Sequence, residues 1–151
     1  MRQPDSLERF IEAQYAAYPA ALQELRAGLK RSHWMWFVFP QLRGLGHSST
    51  SNYYGLAGKA EARVYLDHPI LGLRLKEATE AVLAHDHLSV EQIFGHPDFL
   101  KFHSCMTLFA QVSEDGPFKR ALDRFYEGEL DPNTKRLLET LSSDRVRKLF
   151  S

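Results

Sequence analysis

The chain has 151 residues, 44% of them apolar and 25% charged, and its 19 Lys and Arg balance 19 Asp and Glu to a formal net charge of zero. This is the size of one domain that can bury enough surface to fold without a metal or disulfide. A chain of zero net charge is not built as a general nucleic-acid binder, which carries a basic excess. The single Cys105 cannot close an internal disulfide and fits a reducing compartment. The N-terminal MRQPDSLERF lacks the apolar core of a signal peptide, and the longest apolar run, Trp34 to Phe39, is too short to span a bilayer. The expectation is one cytoplasmic domain over residues 1–151 with no membrane segment.

The predicted elements are helical throughout. Asp5 or Ser6 caps a first helix that places Leu7, Phe10, Ile11 and Gln14 on one face. Pro19 suits the first turn of a second helix, which Ala20 to Leu29 continue with Leu22, Leu25 and Leu29 as a stripe and Gly28 weakening its end. The aromatic run from Ser32 to Phe39 reads as a buried helix, because no second strand candidate exists to pair with it; Pro40, Gly44 and Gly46 then form a turn. Ser49, Thr50 or Ser51 caps a short helix carrying Tyr53, Tyr54 and Leu56.

Lys59 to Asp67 forms the next helix, and Pro69 opens a longer one through His85, with Leu71, Leu75, Ala78, Val82 and Leu83 at helical spacing. Ser89 with Glu91 and Gln92 marks a start that ends near Gly95. Asp98 to Val112 is strongly apolar, and Pro117 to Tyr126 and Asn133 to Leu141 complete the set. Short, unequal helices without strands give an all-α fold: a compact single-domain multi-helix array rather than a regular four-helix bundle.

Chemistry concentrates in KRSHWMWFVFPQL, residues 30–42. Arg31 offers a planar fork for phosphate or carboxylate, and an indole can stack on a base or cover a cation. Set against this, large aromatics fill cores, and Trp34 and Trp36 at i and i+2 cannot share one helix face. One tryptophan therefore belongs to the core and the other to a pocket, a helix edge or a partner. His33, the one histidine in an aromatic setting, is the candidate acid or base.

The remaining histidines read as turn or solvated helix-end residues, and His85-Asp86-His87 lacks a matching ligand pair at zinc-site spacing, so no metal site is expected. Cys105, in an apolar helix, reads as a buried structural thiol rather than a nucleophile. Lys101 and Ser104, at i and i+3, can face a shared cavity. Gly44-Leu45-Gly46 matches neither phosphate-loop nor dinucleotide patterns and reads as a sharp turn.

At KRSHWMWFVFPQLRGLG the chain resembles a bacterial family of small helical proteins, domain of unknown function 1810. The likeness runs over nearly the whole chain, through Arg9-Phe10, Tyr54-Gly55, Tyr65-Leu66, His68-Pro69, Leu71-Gly72, Ile93-Phe94-Gly95, Asp98 with Lys101, and Ser104 with Met106-Thr107-Leu108-Phe109. It implies a compact helical domain and brings no established activity or cofactor. His103 and Cys105 depart from the small or apolar residues expected beside Ser104. The family pattern marks Arg31, His33, Gln41, Tyr54, Lys101 and Thr107 as polar residues that packing alone does not demand.

Two functions of different kinds compete. The first is a small-molecule site, with or without catalysis, for an anionic, nucleotide-like or aromatic ligand. In it Arg31, Trp34, Trp36, Gln41, Tyr54, Lys101 and Thr107 bind and His33 serves as acid or base. The second is a non-enzymatic interaction module that docks a partner through the aromatic segment. A short basic stretch, Arg26 to Arg31, gives nucleic-acid binding little support in a chain of zero net charge. Cofactor and oligomeric state are open at this point.

Overall fold

A computed structural model describes residues 6–150, and the side chains of residues 6–143. Among the described residues there are nine helices and no strand: α1 (Glu8–Ala27), α2 (Met35–Val38), α3 (Ser49–Tyr54), α4 (Lys59–Asp67), α5 (Leu71–Leu83), α6 (Val90–Phe94), α7 (Asp98–Val112), α8 (Phe118–Tyr126) and α9 (Pro132–Phe150). The fold is all-α, as expected. None of the described helices is long and apolar enough to cross a membrane.

α7 is the central element, packed against α4, α6, α8 and α9. Phe102, Cys105, Met106, Leu108 and Phe109 are each fully buried, as befits a helix that is apolar nearly all round. Phe102 meets Phe39 edge-on at 5.0 Å and stacks on Phe94 at 4.7 Å, which binds α2 and α6 to it. α1 and α5 form the second layer. Burial pushes the Cys105 thiol far above its ordinary pKa, so it stays protonated, as expected of a structural cysteine.

Several local expectations are corrected. α1 runs straight through Pro19 instead of breaking there. Proline removes one helical hydrogen bond, but Pro19 and Tyr15 both lie on the exposed face, where the orphaned carbonyl can turn to water. The expected helix over 32–39 shrinks to Met35–Val38; ahead of it the Glu24 carboxylate accepts from the amides of Arg31 and Ser32 at 2.8 and 3.0 Å.

The last helix extends past Leu141 to Phe150. Its start is capped by Asp131, whose Oδ2 accepts from Thr134 N at 3.0 Å. Of the expected helix caps, Asp5 lies outside the described residues. The cap of α3 is Ser48, which accepts from Ser51 N at 3.1 Å, one residue ahead of the expected candidates. Ser89 and Gln92 form the full reciprocal capping box of α6.

Two polar clamps set the frame around the aromatic segment. The Arg9 side chain is fully buried and donates to Tyr53 O at 2.7 Å, Gly55 O at 3.0 Å and Ser6 O, with Glu61 at 3.6 Å. A buried charge is tolerated only when paired and hydrogen-bonded in this way, and the clamp fixes the turn between α3 and α4. Gln14, also buried, donates to Phe37 O at 2.7 Å and to the Tyr65 hydroxyl at 3.1 Å, which ties α2 to α1 and α4.

Candidate functional site

The aromatic segment is anchored at its head by Glu24, in the last turns of α1. The carboxylate accepts from the amides of Arg31 and Ser32, from Ser32 Oγ at 2.5 Å and from Trp34 Nε1 at 2.9 Å. Partial burial pushes this carboxyl up, but the hydrogen bonds, that of Ser32 foremost, outweigh burial and hold it at about 2. Trp34 is thereby drawn into the core, where it is 1% exposed and tilts against Phe39 at 6.2 Å.

Trp36, two residues on, is only half-buried. The pair is divided between core and edge, with Trp34 at the non-helical cap of α2 and Trp36 inside the helix. Lys101, one turn into α7, places its ammonium 3.5 Å over the Trp36 ring. Asp98, at the start of α7, receives Lys30 at 2.8 Å on one carboxylate oxygen and Lys101 at 3.5 Å on the other. The negative charge in the first turn of α7 also suits that helix end. Lys30 lies 5.0 Å over the Trp34 ring as well and donates to Ser32 O at 2.7 Å. The outcome is an edge on which Lys30 and Lys101 converge on a shared carboxylate beside a half-exposed indole.

Arg31 and His33 are exposed at the head of this edge, and among the described residues neither side chain makes a hydrogen bond or ion pair. No protein group orients the His33 ring, a feature that a general base ordinarily has. Gln41 is half-buried, and its carbonyl accepts from Leu56 N at 2.9 Å. Tyr54 joins the segment through Phe37, at 5.4 Å, and stands edge-on to Tyr53 at 4.8 Å. Burial raises the Tyr54 pKa, and the neighbouring Tyr53 adds to the effect.

Thr107 is fully buried on α7. Its hydroxyl donates to His103 O at 2.8 Å and accepts from Asp131 N at 2.9 Å. Ser104 does not turn toward Lys101; it bonds Leu100 O and Asp131 Oδ2, each at 3.2 Å. The structure thus gathers Trp36 and Lys101, and it employs Ser104 and Thr107 in docking the start of α9. Glu24 and Asp98 were not singled out as site residues. Asp98 at i−3 from Lys101 was legible as a helix-face pair, whereas nothing local marks Glu24.

His68, His85 and His103 have structural roles. His68 Nδ1 accepts from the Ile70 and Leu71 amides at 3.1 and 3.2 Å, capping α5. His85 Nε2 lies 2.6 Å from Leu25 O at the end of α1, and His103 stacks on Tyr126 at 3.9 Å. Among the described residues, no group of three or more His, Cys, Asp or Glu side chains stands close enough to hold a metal ion.

A family model described as a protein of unknown function, DUF1810, matches residues 4–138. The chain is also similar to the conserved hypothetical protein Rv1873 from Mycobacterium tuberculosis, whose crystal structure shares 48% identity and a TM-score of 0.88 over 91% of this chain and 99% of that one. No functionally curated protein matches the chain. The chain belongs to the DUF1810 family.

Proposed function

We propose that this protein binds a small anionic, nucleotide-like ligand at the edge formed by Arg31, His33, Trp36 and Lys101. The observation that carries this reading is the Lys101 ammonium 3.5 Å over a half-exposed Trp36 ring. A planar ring and a cation held together suit a ligand that joins a base to a phosphate. Arg31 supplies a second, unpaired cation, and His33 is the available proton carrier if the ligand is a substrate. Lys30, Arg31 and Lys101 face two carboxylates, Asp98 and Glu24, and both carboxylates are already engaged. The net charge of the edge is therefore positive. Gln41, Tyr54 and Thr107 support the frame of this edge in the proposal, and Trp34 its core side.

Titration of the protein with AMP, followed by tryptophan fluorescence, tests the proposal. Quenching that saturates, that disappears in Trp36→Phe and that weakens about tenfold in Lys101→Gln is expected, the worth of one charge-assisted hydrogen bond. Absence of any AMP-dependent change rules it out.

A second reading, an interaction module, draws on the exposure of Leu29 and Leu100, 45% and 47%, beside Lys30 and Lys101 in the chain. In that case Trp36→Ala abolishes association with a partner or a second copy, measured by analytical ultracentrifugation, and AMP has no effect.

A further inference from the structure

A concave site lies elsewhere on the molecule. Between the start of α4, the second half of α7 and the face of α9 is a cleft of about 350 Å³, lined by Lys59, Gln111, Lys135, Leu138, Glu139 and Ser142 among others. Gln111 stands ten residues beyond Lys101 on α7, roughly 15 Å along the helix axis at 1.5 Å per residue. The cleft is thus separate from the Trp36 edge and contains none of Arg31, His33, Trp36 and Lys101.

Its charged lining is two lysines and one glutamate. Among the described residues, the Lys59 and Lys135 side chains make no hydrogen bond or ion pair. They stand against one carboxylate, Glu139, so the cleft carries a net positive charge. The same holds for the polar groups between them: the Gln111 amide and the Ser142 hydroxyl have no partner among the described residues. The floor is apolar at Leu138, which is 8% exposed.

The wall that carries Lys135 is held firmly. Asp131 accepts from Thr134 Oγ1 at 2.6 Å and from Ser104 Oγ at 3.2 Å, and its amide donates to the buried Thr107, itself part of the lining. The Ser104 and Thr107 hydroxyls of α7 thereby fix the first turn of α9, and with it the backbone that carries Lys135.

We infer that this cleft binds a phosphorylated polyol, of the sugar-phosphate class. The two ammonium groups take the phosphate. Gln111, Glu139 and Ser142, which offer both donors and acceptors, read the hydroxyls. Leu138 supports the apolar face of the carbon skeleton. The volume falls within the range of small-molecule sites. Among the described residues no aromatic side chain lines the cleft, so it lacks the stacking surface that a nucleobase uses, and this separates it in chemistry from the Trp36 edge.

Isothermal titration of the full chain with glucose 6-phosphate, ribose 5-phosphate and glycerol 3-phosphate, beside glucose and inorganic phosphate, tests the assignment. At least one of the phosphorylated polyols binds, glucose does not, and inorganic phosphate binds more weakly. Lys59→Gln and Lys135→Gln each weaken binding about tenfold, the worth of one charge-assisted hydrogen bond. Gln111→Ala lowers affinity for the polyol phosphate and leaves inorganic phosphate unchanged. Three results overturn the inference: no binding of any of the three at about 10 mM, inorganic phosphate binding as tightly as they do, or binding indifferent to both lysine substitutions. Trp36→Phe leaves these titrations unchanged, so their outcome is independent of the proposal for the Trp36 edge.

Discussion

Lys101 and Trp36 come from distant parts of the chain, and their side chains meet with the ammonium 3.5 Å above the indole ring. The contact is held from both sides. Asp98 draws Lys101 and Lys30 together at 3.5 and 2.8 Å, and Gln14 fixes the backbone at Phe37 by a 2.7 Å hydrogen bond. A cation over a partly exposed ring contributes about 0.5–1 kcal/mol, too little to explain the arrangement as a device for stability. In the proposed function, its fixed geometry serves the ligand.

The Glu24 carboxylate should make the protein acid-sensitive. Its pKa in the fold is about 2, below its ordinary value of 4.5. A depressed carboxyl stabilises the fold fully above its unfolded pKa, and that contribution fades as pH falls from about 4.5 toward 2. Urea unfolding of the native protein and of Glu24→Ala is the check. The variant is expected to lose about 1–3 kcal/mol at neutral pH, as the Trp34 indole and two amides lose their acceptor. The difference between the two proteins should shrink between pH 5 and pH 2.

The two tryptophans should differ sharply in their cost of removal. Trp34 is 1% exposed and hydrogen-bonded through Nε1, so Trp34→Ala is expected to destabilise by about 3–5 kcal/mol. Trp36, half-buried under Lys101, should cost far less when truncated. Chemical denaturation of both variants tests the division, and equal losses would contradict it.

Gly72 marks the tightest approach among the glycines. A Cβ built there would fall 1.9 Å from Leu66 O, a backbone atom that cannot swing aside. Gly72→Ala is therefore expected to push α4 and α5 apart and to cost about 1–3 kcal/mol, the range for overpacking. A melting temperature at or above that of the native protein would show that the junction yields more easily than its geometry indicates.

How much of this was legible in the chain depended on whether the cause was local. Lys59–Asp67 and Asp98–Val112 match their expected bounds, because amphipathic or apolar spacing and flanking turn residues sit within each segment. The Ser89–Gln92 capping box was readable for the same reason. Pro19 misled, since its cost depends on whether the freed carbonyl meets water, and burial is a tertiary property. Residues 32–34 misled because they are tied by the Ser32 amide and the Trp34 indole to Glu24, far back in α1, a tertiary contact with no local mark. The roles of Ser104 and Thr107 stayed hidden until Asp131 was seen beside them. Of the candidate site, the partition of Trp34 and Trp36 and the spacing of Asp98 and Lys101 were open to reading, but the meeting of α2 with α7 was not.

The central claim is that the Trp36–Lys101 edge receives an anionic, nucleotide-like ligand, and AMP titration followed by tryptophan fluorescence tests it most directly. The account predicts saturable quenching in the native protein, its loss in Trp36→Phe and a rightward shift of about tenfold in Lys101→Gln. A flat titration, or quenching that persists unchanged in Trp36→Phe, would contradict it.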